Sequence, residues 1–262
     1  MFVDAHTHLH HYPATLLPTV LAQIESYSIR TLAVAIDLPT YHQTLAIAQQ
    51  SGLIIPALGI HPWQAADNAH PLDAITPYLA NTPVIGEIGL DFHWVTDSTA
   101  YPTQQRVLDY FLAAARDLHK PVNLHTKGAE TEILASLRHY GIERALIHWY
   151  SGDMAPFEAF VGDGHYFTIG VELLFSEQIR AFARALPLDQ LLTETDNPGG
   201  LSWLSEQHPD TLSVWQPHIS EEHALPSAIL PVYEALAALK GITVPQLEAI
   251  IEANFERYLA GS

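Results

Sequence analysis

The alternation of strand-like and helix-like segments is the feature that most constrains the fold of this chain. The predicted strands are Phe2–Leu9, Thr31–Ile36, Ile54–Ile60, Val84–Leu90, Pro121–Thr126, Ala145–Trp149, Tyr166–Val171 and Leu191–Thr195. Between them, apolar residues recur every three or four positions in Thr15–Ser28, Tyr41–Gln50, Thr103–His119, Ala129–Tyr140 and Glu177–Leu186. Eight such strands within 262 residues predict a (β/α)8 barrel.

The same alternation also fits a doubly wound open sheet, and the number of strands does not separate the two architectures. The polar residues favour the barrel, because they recur at the C-terminal ends of the predicted strands, where barrel enzymes collect their chemistry. We therefore expect an α/β protein with one domain over residues 1–262, a TIM-like barrel whose active site lies at those strand ends.

Composition narrows the chemistry that such a barrel can perform. With 48% hydrophobic residues the chain can bury a full core. It contains no cysteine, which excludes a disulfide framework, a zinc ribbon, an iron–sulfur cluster and a cysteine nucleophile. Any metal must therefore bind to His, Asp or Glu. The 16 histidines outnumber the lysines and arginines together, which is a first indication of metal or acid–base chemistry.

The charge balance limits the kinds of molecule that this protein can bind. Eleven Lys and Arg residues stand against 29 Asp and Glu residues, a formal net charge of −18. This argues against broad electrostatic capture of nucleic acid, and we expect no binding of a long duplex. The N-terminus has no basic and apolar signal-peptide pattern, and no apolar run is long enough to span a bilayer. We expect a cytoplasmic protein with no membrane partner.

The first strand carries a His-x-His pair. His6 and His8 are separated by Thr7, and residues two apart on a strand point to the same face. Both imidazoles can therefore face one cavity. By itself the pair is weak evidence for a metal site, because paired histidines also occur on solvated strand faces.

Four further polar residues support the interpretation that this pair binds a metal ion. Glu87 lies in an apolar run flanked by glycines, where an unpaired charge would be costly unless a cation accompanies it. His125 and His148 end two consecutive strands, and Asp196 follows the last strand. Four imidazoles and two carboxylates exceed the needs of one tetrahedral ion. They suit a pair of divalent ions bridged by Glu87, better than six separately satisfied core residues.

Several runs in this order resemble the signature of the TatD family, which belongs to the amidohydrolase superfamily. They are Asp4-Ala5-His6-Thr7-His8, Gly59-Ile60-His61-Pro62, Gly86-Glu87-Ile88-Gly89-Leu90-Asp91, Leu124-His125-Thr126, His148-Trp149-Tyr150-Ser151-Gly152 and Glu194-Thr195-Asp196. The resemblance covers essentially the whole chain, to the terminal Asn254-Phe255-Glu256-Arg257.

The resemblance implies a (β/α)8 hydrolase with one to three divalent ions, often described as a metal-dependent deoxyribonuclease. Carried over position by position, it implies the ligands His6, His8, Glu87, His125, His148 and Asp196. The histidines admit zinc or manganese and the carboxylates also admit magnesium, so the sequence leaves the ion open.

These assignments predict a mechanism in which the metal ions activate a water for attack on a phosphodiester. Asp196 would accept the proton of that water, and Glu87 is the second residue expected to be catalytic. The expected substrate is a short phosphodiester, single-stranded DNA ends among them. Segment 185–239 supports a short substrate, because it contains no Lys or Arg and includes the loop expected to overhang the pocket.

Four residues are predicted to bind the substrate: His61, Lys127, Trp149 and Ser151. Lys127 stands where the family usually carries an arginine, and would contact a phosphate as a point charge. A solvated lysine is the alternative. Similarly, His61 would donate to a substrate oxygen or else be a capping or core residue. Trp149, with Tyr150, Ser151 and Gly152, would form a rim for a base and a phosphate, or else pack the barrel.

Loop residues complete the expectations. Asp91 is predicted to orient a ligating histidine, with His93 beside it on the same loop, although surface placement is the alternative. The long loop after the last strand carries Trp203, His208, Trp215 and His218, which would cover the substrate or pack over the barrel end.

Two other functions remain open. The same metal site could hydrolyse a small ester, lactone or amide, because a fold does not dictate the bond that is cleaved. A metal-binding scaffold without turnover is the third reading, and the presence of all six ligands argues against it.

Overall fold

A computed structural model describes residues 1–68, 72–207, 212–220 and 222–260. Its main feature is one parallel sheet in which each strand pairs with the next along the chain. The strands are β1 (Phe2–Thr7), β2 (Ile29–Val34), β3 (Ile54–Leu58), β4 (Val84–Gly89), β5 (Val122–His125), β6 (Ala145–Ile147), β7 (Tyr166–Ile169) and β8 (Leu191–Thr193). All eight predicted strands are present.

The last strand returns beside the first. The N–H of Asp196 donates to the carbonyl of His6 at 3.0 Å, and the N–H of His8 donates to the carbonyl of Asn197 at 2.7 Å. The Thr193 hydroxyl donates to the carbonyl of Val3 at 2.7 Å. The sheet is therefore a TIM-like barrel, as predicted, and the doubly wound alternative is excluded.

Helices surround the barrel and also cap it. They are α1 (Leu17–Ser26), α2 (Leu38–Ala48), α3 (Ala65–Asn68), α4 (Thr76–Leu79), α5 (Tyr101–Leu118), α6 (Glu130–Tyr140), α7 (Met154–Gly162), α8 (Glu177–Ala185), α9 (Gly199–Gln207), α10 (Leu212–Trp215), α11 (Ile229–Lys240) and α12 (Val244–Leu259). A short hairpin, β9 (Ile219–Ser220) and β10 (His223–Ala224), precedes α11.

Helix α5 shows how the sequence pattern builds the outer layer. Leu108, Phe111, Leu112 and Ala115 recur at three- and four-residue spacing, and all four are buried in the main core. The helix ends at His119, which takes a left-handed conformation with φ 52°. The apolar stripe thus fixes the face of the helix that lies on the barrel.

The strands end slightly earlier than predicted at the edge that carries the polar residues. His8, His148 and Asp196 each lie one to three residues beyond β1, β6 and β8, respectively. The physical cause is a break in the extended backbone, since Trp149 and Asp196 have φ values of 40° and 51°. These residues turn the chain so that its side chains project over the barrel opening.

Two glycines permit close approach of neighbouring strands below this edge. A Cβ on Gly59 would lie 2.2 Å from the carbonyl oxygen of Glu87. A Cβ on Gly89 would lie 1.9 Å from the carbonyl oxygen of His125, and Gly89 also has φ 152°. Only glycine fits such positions without a backbone shift.

The segment after β8 packs over one side of the barrel end. Trp215 is fully buried in a cluster with Val171 and Leu204, so it packs rather than covering a substrate. Nδ1 of His218 lies 3.0 Å from the Ser227 hydroxyl. His208 lies outside the described residues.

Within the described part of the chain, no single helix is both long and apolar enough to cross a membrane. Only Pro226–Lys240 and Val244–Leu259, which meet at 102°, reach that length and composition together.

Candidate metal centre

The structure brings five polar side chains together around the carboxylate of Glu87. With Glu87 itself, they are the six residues singled out in the sequence: His6, His8, Glu87, His125, His148 and Asp196. Glu87 lies on β4 and is only 1% exposed. Its two oxygens face different groups of side chains, so each side of the carboxylate forms a separate cluster.

The first cluster surrounds Oε2 of Glu87. Nε2 of His6 and Nε2 of His8 lie 3.5 and 3.4 Å from this oxygen. Oδ1 of Asp196 lies 3.6 and 3.3 Å from the same two nitrogens. The four atoms enclose a point that a single cation could occupy.

The second cluster surrounds Oε1 of Glu87. Nδ1 of His125 and Nε2 of His148 each lie 3.1 Å from this oxygen. Nε2 of His61 lies 3.4 Å from it and 3.3 Å from Nδ1 of His125. Three imidazoles therefore converge on the other side of the same carboxylate.

The outward nitrogens of three rings are held by hydrogen bonds, which determine the nitrogen that each ring presents inward. Nδ1 of His6 donates to Oδ1 of Asn123 at 2.8 Å, and the Asn123 amide group is itself fixed by donation to the carbonyl of Ala5. His125 donates from Nε2 to Oδ2 of Asp91 at 2.9 Å. Such outer partners orient metal-binding histidines and leave the inner lone pair free.

His148 follows the same rule, with Nδ1 3.2 Å from Oε2 of Glu194. Asp91 was predicted to act in this way, whereas Asn123 and Glu194 were missed. A signal for both was present in the sequence, because Asn123 and Glu194 each stand two residues before a candidate ligand.

Both central carboxylates are ionised. Burial alone would raise the pKa of Glu87, but the charges of His6 and His148 and the hydrogen bond from His125 outweigh it and hold that pKa well below its usual range. Burial likewise opposes ionisation of Asp196, yet the hydrogen bond from His8 and the charge of His6 lower its pKa. The buried charge of Glu87 and the partly exposed charge of Asp196 beside it thus require positive charge nearby.

Protons can supply that charge where a metal does not. Burial alone would lower the pKa of His148, but the carboxylates of Glu194 and Glu87 raise it to about 9. The pKa of His125 is also raised, because Asp91 and Glu87 outweigh burial. A divalent ion therefore competes with protons for these nitrogens.

The donor set fits a divalent cation. Oε2 of Glu87 is buried and has no hydrogen-bond partner, although two imidazole nitrogens lie within 3.5 Å. Three groups of side chains here have ligand atoms that lie within 4.8 Å of one another. They are His6 with His8 and Glu87, His6 with His148 and Glu194, and His61 with Glu87 and His125. Imidazole and carboxylate ligands together suit zinc or manganese. Such an ion would be the missing partner of Oε2 of Glu87.

His61 differs from the other rings in the nitrogen that it presents. Its Nδ1 accepts a hydrogen bond from the N–H of Trp63 at 3.2 Å, so the proton of the neutral ring sits on Nε2. The ring is neutral because burial lowers its pKa to about 4. This bond makes His61 the cap of the turn Pro62–Gln64, the alternative given for it, while the inward N–H is suited to donation to an oxygen rather than to a metal bond.

Lys127 lies at the rim with Ser151. Its Nζ donates to the carbonyl of Trp149 at 2.6 Å and to the Ser151 hydroxyl at 2.8 Å. An ammonium group has three donors, so one remains after these two bonds. The ring of Trp149 lies 5.8 Å from Nζ and is held by donation from Nε1 to Glu172 at 2.6 Å.

The predicted aromatic rim is wrong at one position. Tyr150 is buried among Phe157, Phe167 and Phe182, with its hydroxyl donating to the carbonyl of Asp153. The cause is the left-handed turn at Trp149, which sends consecutive side chains in different directions. Trp149 instead meets Trp203, with ring centroids 5.6 Å apart.

An exposed tryptophan that the sequence analysis did not select lies beside the centre. Trp63 is 55% exposed, yet its Nε1 donates to Oδ2 of Asp91 at 2.6 Å. Its ring centroid is 4.8 Å from that of His61 and 6.3 Å from that of His125. The sequence signal was a large aromatic residue directly after the Gly59-Ile60-His61-Pro62 run.

Known proteins are similar to this chain over nearly its whole length. A family model described as TatD related DNase matches residues 3–260. The uncharacterized metal-dependent hydrolase YcfH of Escherichia coli K12 is 29% identical, over 97% of this chain and 94% of the relative. Deoxyribonuclease TATDN3 of Homo sapiens is 26% identical, over 96% and 92% of the two chains.

Solved structures share the fold. The E. coli K12 TatD homologue YJJV superposes with a TM-score of 0.82 at 22% identity, covering 100% of this chain and 98% of its own. A TatD-family hydrolase from Entamoeba histolytica gives 0.83 at 16% identity, with the same coverage.

Proposed function

Because this chain belongs to the TatD-related DNase family and is thus a metal-dependent hydrolase, we propose that the bond it cleaves is a phosphodiester bond in short or single-stranded DNA ends. The observation that carries this proposal is the division of Glu87 between two clusters. Oε2 faces His6, His8 and Asp196, whereas Oε1 faces His125 and His148. This arrangement supports two divalent ions bridged by one carboxylate, the kind of centre that phosphoryl-transfer enzymes use.

Divalent ions bound at these two positions would lower the pKa of a water and neutralise charge on the phosphoryl oxygens. The side chains of the protein perform the remaining steps. Asp196 is ionised and its Oδ1 borders the first cluster, so this residue is placed to accept the proton of the attacking water. Glu87 holds the two halves of the centre in register.

Two groups, one in the centre and one at its rim, suit the substrate phosphate. The inward Nε2–H of His61 can donate to a non-bridging oxygen. The remaining Nζ–H of Lys127 can donate to another, and the lysine charge adds to the attraction. Ser151 and Trp149 keep the ammonium group in place, which assigns them a positioning role rather than direct chemistry.

The proposed limit to short or single-stranded substrates follows from charge and exposure. The stretch 185–239 has no Lys or Arg, so this side of the opening lacks the cations that hold a duplex backbone. The half-exposed ring of Trp63 beside His61 offers a surface on which an unpaired base can stack.

A small ester or lactone is the second candidate substrate. The observation that favours it is the net charge of −18, which repels a polyanion but not a neutral ester. The six convergent side chains serve either reaction, because the bond is selected by groups around the centre rather than by the ligands.

One experiment separates these candidates. The protein is assayed with bis(p-nitrophenyl) phosphate, a labelled single-stranded oligonucleotide and p-nitrophenyl acetate, before chelation, after chelation and after return of Zn²⁺, Mn²⁺ or Mg²⁺. Our proposal expects chelator-sensitive cleavage of both phosphodiesters. Ester hydrolysis without phosphodiester cleavage would support the second candidate. A protein that binds metal but cleaves none of the three substrates with any of these ions would contradict both.

A further inference from the structure

A second group of histidines lies outside the centre described above. The chain leaves β1 through His8-Leu9-His10-His11, and Leu9–His11 form one turn of 3-10 helix. The buried Leu9 anchors this turn in an apolar cluster with Tyr12 and Val20. Since residues three apart eclipse each other on such a turn, the rings of His8 and His11 face one another, 5.1 Å apart and inclined by 28°.

Three ring nitrogens of this group lack partners. Both ring nitrogens of His10 are buried and have no hydrogen bond, and the same is true of Nδ1 of His8. Buried imidazole nitrogens of this kind normally find a donor, an acceptor or a water, because leaving one unpaired is costly. Three such atoms on two neighbouring side chains therefore call for a common partner.

The spacing identifies that partner. One ligand atom from each of His8, His10 and His11 lies within 4.8 Å of the other two. No hydrogen bond joins the buried nitrogens of His8 and His10 to another ring, and three nitrogens this close together suit one shared ion, which imidazole binds at about 2.0–2.1 Å. We propose that His8, His10 and His11 form an additional cation site, separate from the two clusters around Glu87.

The donor chemistry selects the kind of ion. Three imidazoles without a carboxylate favour Zn²⁺, Cu²⁺ or Ni²⁺ and disfavour Mg²⁺, which prefers oxygen. His11 is exposed, so an ion can enter from solvent and can take water as a further ligand. The site is therefore selective in a way that the mixed His and carboxylate centre is not.

His8 joins this site to the main centre. Its Nε2 lies 3.3 Å from Oδ1 of Asp196, whereas its Nδ1 faces away from Glu87 and Asp196 without a partner. In the proposed arrangement the two nitrogens of the His8 ring would serve the two sites, one nitrogen each.

The test counts zinc in the purified protein and needs no substrate. Wild type, H10N/H11Q and H139Q are dialysed against Zn²⁺, and zinc per chain is measured by elemental analysis. His139 is an exposed histidine on α6 and serves as the matched control. We expect H10N/H11Q to bind one zinc fewer than wild type and H139Q to bind the same number. With Mg²⁺ in place of Zn²⁺ the three proteins are expected to be equal.

Two further measurements separate loss of the proposed site from misfolding and from damage to the main centre. The single variant H11Q changes only an exposed residue, and is expected to weaken the additional zinc while circular dichroism stays unchanged. In an E87Q background, which damages the main centre, H10N/H11Q should still remove one zinc. Equal zinc content in wild type and H10N/H11Q would overturn the proposal. So would a deficit that disappears in E87Q, because the three histidines would then act through the main centre.

Discussion

Oδ2 of Asp91 lies 2.9 Å from Nε2 of His125, and this contact fixes the nitrogen that His125 turns toward Glu87. The same carboxylate accepts hydrogen bonds from the main-chain N–H groups of His93 and Trp94 at 2.9 and 2.7 Å. Asp91 is thus fixed by the main chain of its own loop, and it orients the ring of His125 on β5.

Replacing Asp91 by asparagine tests this relationship. The amide would keep the shape of the side chain but lose the charge that favours a basic inner nitrogen on His125, so D91N is expected to bind the metal about 10–100-fold more weakly. Competition with a coloured chelator measures the affinity. D97N is the control, because Asp97 lies exposed on the following turn. Equal affinities for D91N and wild type would show that the contact does not tune the ligand.

Asp196 is expected to serve both in metal binding and as proton acceptor. D196A should lower the turnover of bis(p-nitrophenyl) phosphate by at least about 100-fold, the usual contribution of a general base, and should also lower metal content. D189A, which changes an exposed carboxylate before β8, should do neither. Wild-type metal content together with full turnover in D196A would contradict both roles.

Trp63 separates recognition of a base from chemistry at the phosphate. W63A should raise KM for a single-stranded oligonucleotide by about 5–100-fold, since stacking of a base contributes about 1–3 kcal/mol. The KM for bis(p-nitrophenyl) phosphate should change less than that for the oligonucleotide. W94A is the control, because Trp94 is as exposed as Trp63 but contacts Asp91 through its main chain. A similar loss on both substrates would assign Trp63 to the support of Asp91 instead.

Metal affinity should rise with pH. The pKa of His148 is raised to about 9, so its ring holds a proton below that pH when no ion is bound. Binding displaces this proton, and the apparent affinity should rise by up to about tenfold per pH unit for each proton displaced, until the pH reaches about 9. Isothermal titration in buffers of different ionisation enthalpy measures both the affinity and the protons released. An affinity that stays flat between pH 6 and 8 would exclude the competition.

Gly89 is required by the backbone rather than by chemistry. G89A should destabilise the fold by at least about 2 kcal/mol, because φ is 152° and the added Cβ would overlap the carbonyl of His125. Urea unfolding followed by fluorescence measures the loss. G52A is the matched control, since a Cβ on Gly52 meets nothing within 4 Å. Equal midpoints for G89A and G52A would mean that the strands can separate at this point.

The barrel could be predicted from the sequence because its strands are short and regularly spaced, and because polar residues follow at their C-terminal ends. The six candidate ligands, Glu87 included, could be selected for the same reason, as residues near strand ends meet at one opening whatever the details of the loops. His61 and Asp91 were also placed beside this opening. What could be predicted was therefore the part of the site that follows from strand register alone.

The remainder depends on backbone turns that a sequence pattern does not encode. The left-handed conformation at Trp149 sends Tyr150 into the core, and so removes it from the rim. The exposure of Trp63 results from the short turn after β3. Asn123 and Glu194 could have been found by the two-residue period, but their hydrogen-bond partners required the folded geometry.

Because Oε1 and Oε2 of Glu87 face different clusters, one side-chain rotamer sets both halves of the centre. In the proposed two-ion centre, an ion on either side orders the same carboxylate that the other ion needs, so the conformational entropy of that ordering is lost only once. The first ion to bind thus lowers the entropic cost of binding the second, while their like charges oppose it. In such a centre the two ions would not load as independent events, and the cooperativity between them would reside in a single residue.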